Sequence, residues 1–197
     1  MLGFYAQRTM EVKARQVIEQ YCPECVADMT AIPIEKLIEA FGLEIDYQYL
    51  TKNGDKILGK LICSNGITPY YDMDEQDYLF LKVSENTILV EVRLLEQENQ
   101  GRYRFTLAHE LAHWILHKEK IKSEVAYDDS QSDKAMEYQA DYFASVLLMP
   151  LPVIKRFFHY YAMKKNLTRT DKIELMANQF GVSKQAMEIR LTNHKLI

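Results

Sequence analysis

The chain has 197 residues, of which 48% are hydrophobic, and a formal net charge of -4 at pH 7. This length is sufficient to bury a core as one domain, and no apolar run approaches the 20 or so residues that span a membrane. The three cysteines are an odd number and the N-terminus lacks an apolar core of signal-peptide length, so a secreted disulfide scaffold is excluded and a cytoplasmic location is expected.

Residue periodicity predicts both helices and strands in the first half of the chain. Apolar positions at helical spacing predict a helix over residues 8–22, and a shorter one over Ile34–Ala40 that stops at Gly42. Turn signals at residues 52–55 and 65–66 separate segments that read as strands. These strands, expected to form one small sheet, cover residues 43–49, 57–62, 78–83 and 87–92.

The second half is predicted to be helical. A helix over residues 102–117 is followed by a polar loop at 128–133 and a second helix through Leu148. Residues 151–197 carry an excess of lysine and arginine over acidic residues. Strands first and helices after are typical of an α+β fold.

The stretch His109-Glu110-Leu111-Ala112-His113 carries the clearest chemical signal. Two histidines four residues apart lie on one face of a helix, so both imidazoles can reach a single metal ion. Glu110 falls where a carboxylate can accept a proton from a metal-activated water. Because catalytic zinc usually has three protein ligands and one open position, a third ligand is expected downstream.

Glu137 and Asp141 are also four residues apart, within a largely apolar helical segment. A carboxylate in such a segment needs a partner, and a metal site supplies one. The simplest assignment makes Glu137 the third ligand and Asp141 the acceptor for an N–H of His109. The inverted assignment, with Asp141 on the metal, stays open; the longer side chain of Glu137 favours the first.

Two further patterns are given structural interpretations. His117 continues the histidine stripe but does not match the third histidine of the metzincin pattern, because position 119 holds Glu119. We therefore interpret His117 as a helix-end residue. Cys22 and Cys25 form a Cys-x-x-Cys pair, but only one other cysteine exists, so buried or incidental thiols are predicted instead of a zinc site.

Residues 104–113, read with Glu137-x-x-Ala140-Asp141-x-Phe143-Ala144 and the following Leu147-Leu148-Met149-Pro150, resemble the ImmA/IrrE family of metallo-endopeptidases. Residues 32–43 resemble the entry helix of that family, and residues 177–183 its helix-turn-helix-like segment. The resemblance implies one Zn²⁺ per chain, with His109, His113 and Glu137 as ligands and Glu110 as the catalytic carboxylate. Asp141 stands where many members carry Asn, and it can still accept a histidine N–H.

The expected fold is α+β, with a zincin-like metallopeptidase domain over residues 1–150 that has a small sheet and an active-site helix. A helical region over residues 151–197, with the helix-turn-helix-like segment, is expected to pack on it. In that segment Gly181 suits a turn, and Ser183 can cap the following helix. The basic excess could serve DNA binding, but packing or partner docking is favoured because the remainder of the chain is acidic.

The resemblance implies an intracellular zinc endopeptidase whose protein substrate is a helix-turn-helix transcriptional repressor or an antitoxin-like partner. The alternative is a non-catalytic, metal-containing regulator that binds a repressor or DNA. A peptidase also needs a donor for the charge on the tetrahedral intermediate. The sequence does not choose among four candidates, which are Tyr127, His159, Tyr160 and Tyr161.

Overall fold

The computed structural model describes residues 5–54, 56–123, 130–164 and 166–197. These ranges fold into helices and two small sheets, which confirms the predicted α+β class. The chain divides into two compact units, one formed by Ile34–Asp141 and the other by the residues before and after it. The domain boundary after residue 150 stays a prediction.

Within the described residues, three helices come first, five strands follow, and five helices complete the order. The helices are α1 (Gln7–Tyr21), α2 (Glu24–Ala27), α3 (Ile34–Ala40), α4 (Gln100–Ser123), α5 (Ser130–Leu148), α6 (Leu151–Ala162), α7 (Arg169–Phe180) and α8 (Lys184–Asn193). The strands are β1 (Glu44–Gln48), β2 (Gly59–Ile62), β3 (Gly66–Asp72), β4 (Asp77–Val83) and β5 (Thr87–Glu91). Two short 3-10 turns, Val92–Leu95 and Gln97–Asn99, connect β5 to α4.

The strands form two sheets, so the prediction of one small sheet is wrong. In the first sheet, of order β1-β5-β2, β5 runs parallel to β1 and antiparallel to β2. In the second sheet, β4 pairs antiparallel with β3. The residue periodicity did not predict the strand β3. Pro69 lies within β3, and proline argues against a strand because it cannot donate a ladder hydrogen bond.

The helix α4 packs on the first sheet and extends beyond the predicted residues at both ends. His117 therefore lies inside the helix, and its interpretation as a helix-end residue is wrong. The predicted loop at residues 128–133 is also wrong from residue 130 onward, because α5 begins at Ser130; residues 128 and 129 lie outside the described ranges. Serine and aspartate occur in first helical turns as well as in loops, so composition did not separate the two.

A partly buried ion pair joins the end of β5 to the chain that follows β1. Glu91 is fully buried, accepts the backbone N–H of Leu50 at 2.9 Å, and pairs with Nη1 of Arg93 at 2.8 Å. Arg93 also donates to the carbonyl oxygens of Thr51 and Lys52, at 3.1 and 3.0 Å. These contacts hold the segment that leads toward β2.

The C-terminal helices follow local sequence signals. Gly181 adopts a left-handed conformation with φ of +61° where α7 ends, and the Ser183 hydroxyl accepts the N–H of Ala186 at the start of α8. The predicted turn and cap are thus confirmed. Cys22 and Cys25, which were interpreted as buried or incidental thiols, are buried and free, and so is Cys63. Among the described residues, no helix combines the length and apolar character required to cross a bilayer.

Candidate metal centre

Three side chains from two helices converge within the unit Ile34–Asp141. His109 and His113 lie one turn apart on α4, and their Nε2 atoms are 3.0 Å from each other. Glu137, on α5, places Oε2 at 3.2 Å from Nε2 of His109 and Oε1 at 3.3 Å from Nε2 of His113. The three potential ligand atoms all lie within 4.8 Å of one another.

This donor set fits a divalent metal ion. Ligands about 2.0–2.2 Å from a tetrahedral zinc ion stand about 3.3–3.6 Å apart, which is close to the observed separations. Two imidazole nitrogens and one carboxylate also leave a fourth position of a tetrahedron open, as catalytic sites require. The cluster is therefore compatible with a metal site.

The remaining ring nitrogen of His109 faces a carboxylate. Its Nδ1 lies 2.9 Å from Oδ1 of Asp141, one turn beyond Glu137 on α5. Burial lowers the pKa of His109, but the hydrogen bonds to Asp141 and Glu137 outweigh it and raise the pKa to about 10. Hydrogen bonds from His109 and from His113 hold the pKa of Glu137 well below its usual range. The ring of His109 is thereby fixed with Nε2 toward the cluster.

Glu110 is the buried carboxylate beside the cluster, with 7% of its surface exposed. Burial raises its pKa, against the opposing effects of nearby His109 and His113 and of a hydrogen bond from the backbone N–H of Leu61. Gly59, two residues earlier on β2, has no side chain at the point where the strand approaches this carboxylate. An elevated pKa suits a group that must take up and release a proton.

A cavity of about 580 Å³ opens at these residues. One wall is the chain from Lys56 to Leu61, which includes most of β2, and His109, Glu110, His113, Glu137 and Asp141 all contribute to the lining. A glycine inside a strand often marks a close backbone approach, so Gly59 was a signal in the sequence that the site prediction did not use.

His117 is not part of the ligand cluster, yet it contacts it. Its Nδ1 lies 3.2 Å from Nδ1 of His113, and its Nε2 lies 3.0 Å from Oε1 of Gln139 on α5. Burial lowers the pKa of His117, which favours the neutral imidazole. Sequence reasoning missed Gln139; its position two residues from Glu137 gave no signal, whereas the i, i+4 spacing of His117 from His113 did.

None of the candidate donors for the tetrahedral intermediate is among the described residues that line the cavity. Tyr127 lies outside the described residues. His159, Tyr160 and Tyr161 lie on α6, in the other compact unit, and are not among the described residues that line the cavity. The structure therefore brings together the predicted residues His109, Glu110, His113, Glu137 and Asp141.

A family model described as the IrrE N-terminal-like domain, a peptidase family, matches residues 73–192. The chain belongs to this family. The match covers more than half of the chain and includes α4 and α5, which carry all five residues of the candidate site. It confirms the resemblance read from the sequence.

Membership of the IrrE-like peptidase family shows a metallopeptidase-type function, which is a hydrolase activity on peptide bonds. The cluster of His109, His113 and Glu137 is compatible with the metal site that such a peptidase needs. A comparison with curated proteins found no significant match.

Proposed function

We propose that the chain is a zinc-dependent endopeptidase in which His109, His113 and Glu137 bind the ion and Glu110 is the general base. The observation that carries the proposal is the convergence of three metal-ligand atoms beside a buried carboxylate in one open cavity. When bound, zinc would polarise the scissile carbonyl and acidify a water molecule.

In this proposal Glu110 takes the proton of the attacking water and passes it to the leaving amine. Burial makes the carboxylate more basic than an exposed one, so it accepts the proton more readily. The backbone N–H of Leu61 and the close approach of Gly59 restrict where the carboxylate can move. Asp141 orients His109 through the contact at Nδ1.

The substrate class we propose is an extended segment of a protein. β2 stands at one end of the first sheet and lines the cavity beside Glu110. The carbonyl oxygen of Leu58 accepts the N–H of Glu91, so the backbone groups of Gly59, one residue on, point toward the open edge. A peptide can pair with such an edge through main-chain hydrogen bonds.

The protein that supplies this segment is proposed to be a helix-turn-helix repressor or an antitoxin-like partner. The support is the resemblance of the sequence to ImmA/IrrE peptidases and membership of the IrrE-like family. A partner of this kind acts on DNA in the cytoplasm, which is where we place the chain. Cleavage would relieve repression by separating the repressor into fragments.

The test is coexpression with a candidate helix-turn-helix repressor, chosen from the genes that neighbour the chain's own. Wild-type chain is expected to cut the repressor, while Glu110→Gln retains the metal and slows cleavage by about 10²–10⁴-fold. Glu119→Gln, which makes the same change at an exposed position of α4, is the control and should cut normally. Cleavage by Glu110→Gln at the wild-type rate would overturn the role of Glu110. An intact repressor bound to metal-loaded wild-type chain would favour the non-catalytic regulator.

A further inference from the structure

Behind the ligand cluster lies a buried pair of polar side chains that the proposed reaction does not use. His117 and Gln139 expose only 5% and 3% of their surfaces. His117 lies one turn beyond His113 on α4, and Gln139 reaches it from α5. Buried polar groups of this kind are costly unless they are hydrogen-bonded, so the direction of their hydrogen bonds matters.

The orientation of the Gln139 amide fixes the direction of these hydrogen bonds when the ring of His117 is neutral. The amide oxygen of Gln139 is an acceptor, so the hydrogen of the neutral His117 imidazole is on Nε2, which donates across 3.0 Å. Nδ1 of His117 is then an acceptor, and the group 3.2 Å from it, Nδ1 of His113, must donate. His113 consequently carries its hydrogen on Nδ1 and has a lone pair on Nε2.

That lone pair points at the ligand cluster. Nε2 of His113 is the atom that lies 3.0 Å from Nε2 of His109 and 3.3 Å from Oε1 of Glu137. A histidine that binds a metal commonly donates its other N–H to a carboxylate, a carbonyl or water, which fixes its tautomer and ring orientation. For His113, the acceptor in this structure is another imidazole.

We propose that His117 and Gln139 are positioning residues, which hold His113 in the Nδ1–H tautomer with Nε2 presented to the metal. The inference rests on the proposed function, because it takes His113 to be a metal ligand. The two histidine ligands are thus supported differently. His109 is oriented by Asp141, an exposed carboxylate, and His113 by a buried and uncharged relay.

The tautomers can be measured directly on the wild-type protein. Long-range ¹H–¹⁵N correlation spectra of ¹⁵N-histidine-labelled chain distinguish the two neutral tautomers of each ring. We expect His117 to be the Nε2–H tautomer with and without added Zn²⁺, and His113 to carry its hydrogen on Nδ1 when Zn²⁺ is bound. A Nδ1–H tautomer at His117 would overturn the proposal without any reference to peptidase activity.

Variants of His117 and Gln139 test whether these residues position His113. The quantity measured is the Zn²⁺ affinity, determined by competition with a chromophoric chelator. His117→Leu removes the acceptor and is expected to weaken Zn²⁺ binding by about 10–100-fold. His117→Asn keeps an acceptor oxygen near the position of Nδ1 and should recover part of that loss. Gln139→Leu frees the His117 tautomer and should weaken binding less than His117→Leu does. Glu119→Gln, at an exposed position of the same helix, should bind as wild type does.

The outcomes separate this inference from the proposed function. If His117→Leu binds Zn²⁺ as tightly as wild type while His113→Ala does not, the relay is refuted and the metal site stands. If wild-type chain binds no Zn²⁺, the proposed function fails, and the inference fails with it. Circular dichroism reports the folding of each variant; should His117→Leu not fold, Gln139→Leu and the wild-type tautomers decide the question.

Discussion

Gly59 on β2 lies directly against Glu110 on α4. A Cβ at Gly59 would stand 2.8 Å from Oε1 of Glu110 and 2.6 Å from Cγ2 of Thr106. Both distances are shorter than ordinary van der Waals contact, so only a glycine lets the strand approach the helix this closely. Because Leu61 on the same strand donates to Glu110, the position of β2 and the position of the proposed base are coupled.

Gly59→Ala is expected to displace Glu110 and the adjacent part of β2. Overpacking of this kind costs about 1–3 kcal/mol, and a misplaced catalytic group can lose up to about 100-fold in rate. Metal content should be retained, because the three ligands lie on α4 and α5. Thermal unfolding and the cleavage rate measure the two effects. Gly66→Ala is the matched control, since a Cβ there meets nothing within 4 Å; equal losses in both variants would contradict the account.

Asp141→Ala should weaken metal binding without removing the site. Loss of the acceptor at Nδ1 of His109 is expected to cost about 10–100-fold in affinity. Asp141→Asn should cost less, because an amide oxygen can still accept the N–H. Competition with a chelator measures both affinities. If Asp141→Ala instead abolishes the metal as completely as Glu137→Ala is expected to do, the inverted assignment, with Asp141 as ligand, is favoured.

Glu91→Leu should destabilise the chain, because it leaves the guanidinium of Arg93 without its buried partner. Loss of a hydrogen bond to a charged group costs about 1.5–3 kcal/mol, and urea unfolding measures the change in the free energy of unfolding. The double variant Glu91→Leu/Arg93→Leu should recover part of the loss. Glu19→Ala, which breaks an exposed pair with Arg15, should cost about 1 kcal/mol or less. A loss at Glu91 no larger than at Glu19 would contradict the role of the pair.

Local patterns in the sequence predicted much of the fold. The short helix Ile34–Ala40 was predicted with its observed bounds, and the Gly181 turn was predicted from a single residue. The pairing of the strands could not be predicted, because pairing depends on contacts between residues that are distant in the sequence. β4 was predicted as a strand, but its partner β3 contains Pro69, and nothing local indicates that the two form a separate sheet.

The candidate site, like the fold, could be predicted only in part. His109 and His113 share a helix face by their spacing, as do Glu137 and Asp141, so each pair could be predicted before the two helices were known to meet. Contacts between elements could not be predicted. The hydrogen bond from His117 to Gln139 joins residues on two helices, and the approach of Gly59 to Glu110 joins a strand to a helix.

The metal content of the purified protein decides whether the proposed zinc site exists. Mass spectrometry measures it for wild type, His113→Ala and Glu137→Ala. We expect about one zinc ion per wild-type chain and a reduced content in both variants, since each removes one of three protein ligands. A wild-type chain that holds no divalent metal after zinc has been supplied would contradict the proposed site.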